Sequence, residues 1–523
     1  MTEPTRTQAD DKKPSSPFWS AERSRKICAR WVIEGDLVLQ TPAHFGNGDS
    51  ADLTDMPLLR AADDDKTPLL TGASIAGALR AYLRSCQLGL RAPKKTKAEP
   101  SVKFERESAA VCLFGGSKGD DEGQQSPLIV EDAYGALGTG NGTEIRNGVR
   151  LNGHSRTAEN DALFNLEAWL SGTIFPLRFE LLVCEGDDET QMLSALATAL
   201  QGFIDGGITL GARKARGFGR VHVAGWRAQK FDLKKADSLV NWLSQGEKQL
   251  TATEKSDIGT ALNSATVLPN DQRDLFELSA TFALDGSLLV RSGGGQDTVE
   301  PDMVHITSAG RPILPGTSLA GALRARANKI ANTLASDRDH ARDFVECLFG
   351  SDMNQKKARN QQPTASRILV EEHDVTLKPN VAGGGRFDLV QSRVAIDRFT
   401  GGALDTALFT EQPVFGGEQT EVQVRLKLIN PTKAEVGLVL LLLKDLWTGD
   451  LPLGGEISVG RGRLKGKQAT LTWKRQDVNC TIKANGNALQ PLDAYTTQKL
   501  NGYVDKLKSC LTATQQKVAK EVV

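Results

Sequence analysis

The chain carries the same ordered set of sequence landmarks twice, and this duplication restricts it to folds that one half can close on its own. TPLLTGASIAGALRAYL at 67–83 returns as RPILPGTSLAGALRARA at 311–327, so Gly72 matches Gly316 at a spacing of 244 residues. CLFGGS from Cys112 returns as CLFGSD from Cys347, a spacing of 235, and SPLIVED at 126–132 returns as SRILVEE at 366–372, a spacing of 240. LGARKARGFGRV at 210–221 returns as LGGEISVGRGRL at 453–464, a spacing of 243. Val149 to Phe164 aligns without a gap onto Val394 to Phe409 at a spacing of 245. Spacings that drift by about ten residues while the order holds mark homologous domains with loop insertions and deletions.

Within each half an alternating apolar strand leads into a Gly-rich loop, a helix from the Gly-x-Ser segment, a second strand at LIVED or ILVEE, and a long irregular stretch. A third strand (FPLRFELLV; EVQVRLKLI), an apolar helix (MLSALATALQGFI; EVGLVLLLLKDLW) and a Gly-rich turn into a last strand follow. The order β, α, β, β, α, β is that of an α+β, ferredoxin-like (RRM-like) domain. The expected organisation is a disordered tail over 1–30, a first domain over 31–228, a helical linker over 229–272, a second domain over 273–473 and a C-terminal helical extension over 474–523.

Lys+Arg and Asp+Glu number 64 each, so a polyanion would have to be held by a local basic surface. The longest apolar run, Val436 to Leu443, falls far short of the roughly 18–20 residues that span a bilayer, and the polar N-terminus lacks a signal-peptide core. A cytoplasmic protein without membrane contact is expected. Seven cysteines with no CxxC pair argue against a disulfide framework and a zinc knuckle. No GxxxxGK[ST] or HExxH occurs, and the glycines at 211–219 precede the last strand instead of opening the first helix. Nucleotide hydrolysis and a dinucleotide fold are therefore disfavoured.

Helix starts present unpaired N–H groups, so the Gly turns with Ser74 or Ser318 near the cap and Arg80 or Arg324 on the following turns are candidate phosphate or sugar seats. An ordinary capped helix is the competing reading. Gly211, Gly217, Gly219 and Gly454, Gly460, Gly462 let backbone approach a ligand closely, with Arg213, Lys214, Arg216, Arg220, Arg461 and Arg463 among them. A nucleic-acid backbone suits that chemistry.

Together with the short turn Ala43-His44-Phe45-Gly46-Asn47-Gly48, these motifs resemble the RAMP superfamily of CRISPR proteins. More closely, the chain is similar to two tandem backbone subunits of a type III effector complex, fused as in the type III-D arrangement. The resemblance covers about 31–228 and 273–473. It implies ferredoxin-like domains with inserted thumb hairpins, bound to guide RNA and to complementary single-stranded target RNA, in assembly with further RAMP proteins and other effector subunits. His44, and Arg291 at the matching position, join the implied RNA-binding set.

In that family the target-cutting residue is an Asp followed by any residue, Pro, two apolar residues and a basic one. Asp55-Met56-Pro57-Leu58-Leu59-Arg60 fits this pattern, whereas Asp302-Met303-Val304-His305-Ile306 keeps the position seven residues past the Gly turn but lacks the Pro and the basic residue. The resemblance implies attack of the target's own 2'-hydroxyl on the adjacent phosphate at each site. Asp55 and Asp302 would act with Mg2+ or another divalent metal shared with RNA phosphate. The segments ending in Leu163-Phe164 and Leu408-Phe409 resemble the thumb hairpin that displaces a base pair, with these residues as wedges. Core packing is the alternative for them. Ala76, Ala78, Ala320 and Ala322 stand where related subunits often carry Lys. Three other functions remain open: a non-catalytic guide-RNA scaffold, a guide-processing endoribonuclease, and a polysaccharide or protein scaffold unrelated to RNA.

Overall fold

The computed structural model describes residues 26–48, 55–64, 66–91, 108–116, 125–138, 142–152, 157–245, 250–264, 271–293, 301–351, 363–485, 488–491 and 494–513 of the 523. The expected tail lies outside the described residues up to residue 25, and Ile27 to Arg30 already belong to the first strand.

Alternation builds the first sheet. In Ile174–Cys184 the side chains of Phe175, Leu177, Phe179, Leu181 and Val183 are buried, and Arg178 and Glu180 take the other face. This strand lies between Leu128–Val130 and Ile27–Leu39, and Val221–Asp232 pairs with the far edge of Ile27–Leu39. All pairs are antiparallel, so across the sheet the strands run second, third, first, fourth in chain order. The helices Gly72–Leu88 and Glu189–Ile204 cover the apolar face with Ile75, Leu79 and Leu83 and with Leu196, Leu200 and Phe203. Each such side chain contributes about 1.5–3 kcal/mol on burial. The opposite face is charged and paired in register. Glu34 lies across from both Arg178 and Arg227 and contacts them at 2.6 and 3.7 Å, and Arg30 meets Glu180 at 3.0 Å.

The second half repeats the layout with Leu275–Asp285, Ile368–Val370, Glu421–Ile429 and Arg463–Trp473, in the same strand order, under the helices Gly316–Leu334 and Lys433–Trp447. Small motifs repeat too. CLFG ends a helix in each half, where Gly115 and Gly350 adopt φ of 77° and 92° and donate their N–H to Val111 and Glu346 carbonyls. Ser126 and Ser366 donate to the Leu128 and Ile368 carbonyls at 2.7 and 2.8 Å.

Two segments differ from expectation because their apolar residues have neighbouring surfaces to cover. The first domain's last strand runs on to Asp232, and the helix Ala236–Gln245 then lays Trp242 beside Val32, Phe231 and Leu250, while Ile258 and Leu262 enter the first core. The segment expected as a linker is thus packed on the first domain. In the expected C-terminal helix, Val478–Asn485 and Ala488–Pro491 instead extend the second sheet by two strands. The helix Ala494–Thr512 follows, with Leu500, Tyr503, Leu507 and Leu511 buried in the second core.

The domains meet along a polar seam. A Cβ on Gly217, which has φ 92°, would stand 2.3 Å from the Glu372 nitrogen, and one on Gly316 would stand 2.2 Å from the Arg216 carbonyl oxygen. Beside that contact Arg146 meets Glu372 at 3.0 Å, Arg220 meets Glu371 at 2.9 Å, and Ser308 donates to Glu144 at 2.9 Å. Glu372 is 4% exposed, and burial pushes its carboxyl up to about 7 against the pull of Arg146. Burial also acts to raise Glu371, but the His373 hydrogen bond and the Arg220 and Lys427 charges hold it well below the usual carboxylate range.

The Glu372 shift makes stability depend on pH. A carboxyl raised from 4.5 to about 7 on folding stabilises fully below 4.5 and loses that contribution as pH rises through about 7. Buried His305, pushed down from 6.5 to about 4, acts in the opposite sense between those values. It cancels when the protein is compared with Glu372→Gln. The stability of the parent relative to Glu372→Gln should therefore fall by about 1–3 kcal/mol between pH 5 and 7, at 1.36 kcal/mol per pKa unit. Urea unfolding of both proteins across that range checks it, and parallel pH profiles would count against a raised Glu372.

Candidate nucleic-acid interface

Residues from both halves form a cationic cluster at the seam. Arg213 caps, and Lys214 and Arg216 stand on, the short 3-10 turn Lys214–Arg216 that precedes the first domain's last strand, and Arg324 stands on Gly316–Leu334 of the second. Burial pushes the Arg216 guanidinium down from its ordinary value, and the charges of Arg324 and Arg213 push further in the same direction. Among the described residues none of these four cations has an ion-pair partner, whereas nearby Arg220 is tied to Glu371. Arg213 also stacks over the Phe164 ring at 4.4 Å.

The matching turn of the second half has the same backbone and different chemistry. Glu456 and Gly460 adopt φ of 57° and 91°, against 55° and 92° for Arg213 and Gly217. Yet Glu456 replaces Arg213, and Val459, 61% exposed, replaces Arg216. Arg461, expected at an RNA surface, is 3% exposed and bound by Glu411 at 3.0 Å and Glu456 at 2.8 Å. Its position corresponds to Phe218, and that of Glu411 to Leu166, a buried apolar pair in the first half. A charge pair has replaced an apolar pair, and this draws Arg461 inside. Arg291 reaches the same carboxylates, Glu456 at 3.3 Å and Glu411 at 3.7 Å. Arg463 is exposed and has no ion pair among the described residues.

The remaining expected contacts are spread out. His44 is buried, with Nδ1 2.7 Å from the Glu167 carbonyl oxygen. Thr71, not Ser74, caps the first helix, accepting from the Ser74 N–H at 3.3 Å. Ser318 lies in the first turn of a helix that follows Pro315 without a side-chain cap. Arg80 and Arg324 are half-buried on the two equivalent helices.

Asp55 and Asp302 occupy equivalent places. Each sits against the second strand of a hairpin, formed in the first half by Thr143–Leu151 with Ala158–Trp169 and in the second by Gln391–Ile396 with Ala403–Gln412. Asp55 N–H donates to the Asn165 side-chain oxygen, and Asn165 N–H returns a bond to Asp55 Oδ2, both at 2.8 Å. Asp302 N–H donates to Thr410 Oγ1 at 3.1 Å, and Thr410 N–H and hydroxyl donate to Asp302 Oδ2 at 2.7 and 3.1 Å. Asn165 and Thr410 are 245 residues apart, the spacing of the hairpins themselves. Arg60 of the first motif is held by the Glu167 carboxylate. The second half has Gln412 at that position, so the missing basic residue is matched by a missing acid.

The hairpins expose apolar side chains. Leu163 is 74% and Leu408 66% exposed, and the register is shared, with Val149 opposite Leu163 and Val394 opposite Leu408. Phe164 is instead half-buried across Gly148, where a Cβ would stand 2.2 Å from its ring. Arg393 is opposite Phe409, and that ring is 39% exposed. Phe399, which is not among the expected wedge residues, is 99% exposed in a turn where Asp397 Oδ1 accepts from the Phe399 and Thr400 N–H groups. Its aligned partner His154 lies outside the described residues.

Two copies of one α/β domain, each with an exposed hairpin tied to an acidic loop, define a tandem-repeat protein with one cationic seam. The sequence model of the RAMP superfamily matches residues 36–222 and 284–465, more than half of the chain, and the chain belongs to that superfamily of CRISPR-associated proteins. No curated protein matches it. Among the described residues no helix is long and apolar enough to cross a membrane. Nor does any group of three or more His, Cys, Asp or Glu side chains among them form a candidate metal site.

If the Glu411–Arg461 pair stands in for Leu166–Phe218, Arg461→Ala should cost about 3 kcal/mol by leaving a buried carboxylate short of its partner. The double substitution Glu411→Leu with Arg461→Phe should return to within about 1 kcal/mol of the parent. Denaturant unfolding measures both, and a double variant as weak as the single one would contradict the exchange.

Proposed function

We propose that the chain is a guide-RNA-binding backbone subunit of a CRISPR effector complex, resembling a type III-D tandem fusion. The observation that carries this is the unpaired cluster of Arg213, Lys214, Arg216 and Arg324, contributed by both halves to one place in a chain of zero net charge. Unpaired, partly desolvated guanidiniums are costly unless a polyanion neutralises them. The strand order supports a ferredoxin-like reading of both domains. The outer face of the first sheet is closed by ion pairs, so it offers no stacking platform, and a guide is better served by the seam and the hairpins. Further superfamily subunits fit the open end of the second half, where a Cβ on Gly460 would meet nothing within 4 Å although one on its counterpart Gly217 would meet Glu372.

Replacing Arg213, Arg216 and Arg324 together by Ala should weaken binding of single-stranded guide RNA and lower its log–log salt slope by about 2, at roughly 0.7 per phosphate contact. Titrations at several salt concentrations test it, and an unchanged slope would remove the seam from the RNA surface.

The two-way bonds at Asp55 and Asp302 favour a second reading, cleavage of the paired target RNA at two sites. The target's 2'-hydroxyl would attack the adjacent phosphorus as its proton passes to the aspartate. The new 2'-O–P bond gives a cyclic phosphate, and the P–O5' bond breaks with O5' taking a proton from solvent. Asp55→Ala should remove one cut and Asp302→Ala another, with guide and target binding kept, because the carboxylate acts in the transition state. A cleavage ladder on end-labelled target decides this: no cut lost in either variant leaves the scaffold function alone standing.

A further inference from the structure

Both acidic loops are fastened to their hairpins at one position by the same pair of opposed bonds, although the residue on the hairpin differs. Asn165 serves in the first half and Thr410 in the second. Two chemically different side chains keeping one geometry mark a constraint on the aspartate itself, since a shared ancestor alone would not hold the bond pattern through the exchange. In each case the bonds reach the backbone N–H and Oδ2 of the aspartate, and neither Oδ1 has a hydrogen-bond partner among the described residues.

The direction of that free oxygen's neighbourhood follows from strand periodicity. Leu163 and Asn165 are two apart on one strand and share a face, as do Leu408 and Thr410. The separation along the strand is about 7 Å. The most exposed large apolar side chain of each strand therefore shares a face with the side chain that receives the aspartate's N–H. A base levered out of its stack by Leu163 or Leu408 would have its own sugar next to that carboxylate. The face bearing Phe164 is occupied differently, by Gly148 beneath the ring and Arg213 above it.

We propose that Asn165 and Thr410 are positioning residues. They hold the Asp55 and Asp302 carboxylates in register with the leucine one step away, so that displacement of a nucleotide and proton transfer at its 2'-hydroxyl occur at one geometry. The inference rests on the cleavage reading above. The hairpin and the acidic loop then act as one unit, and the loop residue is correctly placed only where the hairpin is.

The test uses the full chain in its guide-loaded complex and an end-labelled complementary RNA, in single-turnover reactions that resolve the two cuts. Asn165→Ala should slow the Asp55 cut by about tenfold to a hundredfold, the scale of a misplaced catalytic group, with target affinity unchanged and the second cut at full rate. Thr410→Ala should do the converse. Asn165→Thr and Thr410→Asn, which exchange the two halves' solutions, should restore each cut to within about threefold of the parent. A general folding defect would slow both cuts and weaken binding together, and that result overturns the proposal. Full rates in both Ala variants, in a complex where Asp55→Ala and Asp302→Ala each abolish a cut, overturn positioning and leave the cleavage reading intact. A ladder unchanged by either aspartate substitution overturns both.

Discussion

The Arg216 carbonyl occupies the space that a side chain would fill at residue 316, and this close backbone contact determines what the two halves can build together. It requires glycine on the receiving helix and glycine at 217 on the delivering turn. Once made, it brings Arg216 within electrostatic reach of Arg324, a residue from the other domain, and sets Arg146 and Arg220 against the buried pair Glu372 and Glu371. The first hairpin is anchored by that same seam, because Arg146 lies on its first strand. Assembly of the cationic cluster and orientation of the hairpin are therefore consequences of one contact.

The halves keep a backbone and diverge in charge. Where the first uses Leu166 with Phe218, the second uses Glu411 with Arg461, and where the first ties Arg60 to Glu167, the second has no basic residue and Gln412. Each change at one position is answered at its neighbour, as expected if a buried group must be satisfied or removed together with its partner. The hairpins are consequently rooted differently. The first depends on its neighbouring domain, and the second on a cluster of carboxylates and guanidiniums within its own half.

Much of the fold was legible because duplication supplies an internal control on every motif. The succession of strands and helices in each half and the helix from Gly-x-Ser follow from matched segments, whereas the helix that CLFG ends and the shared hairpin register came with the structure. The two strands after Trp473, the burial of the expected C-terminal helix in the second core and the packing of 229–264 were not legible, because each occurs in one half only and so had no counterpart to expose it. The site was legible as a set of residue types but not as a set of partners. Arg216 and Arg461 look alike in a basic Gly-rich string. Only the position of Glu411, fifty residues earlier in the chain, separates an arginine without an ion pair from a buried, paired one. Asn165 and Thr410 carry no sequence signal at all until the aspartates are seen bound to them.

That contrast sorts the duplicated positions by what maintains them. Ser126 and Ser366, or Gly115 and Gly350, are identical and make identical bonds, which is what backbone closure requires in any domain of this shape. Arg213 and Glu456, or Arg216 and Val459, share φ and position but not chemistry, so the turn belongs to the fold and its side chains to whatever each half faces. The first half faces the second across the cationic cluster. The second half presents an exposed valine, a glycine with open space and an unpaired Arg463 at the corresponding place. The cationic seat is thus a property of the junction between two domains, present once in a chain with two domains. The aspartates are a property of each domain, present twice. Under the proposed function, guide binding would therefore scale with the number of junctions and target chemistry with the number of domains when such domains are added in series.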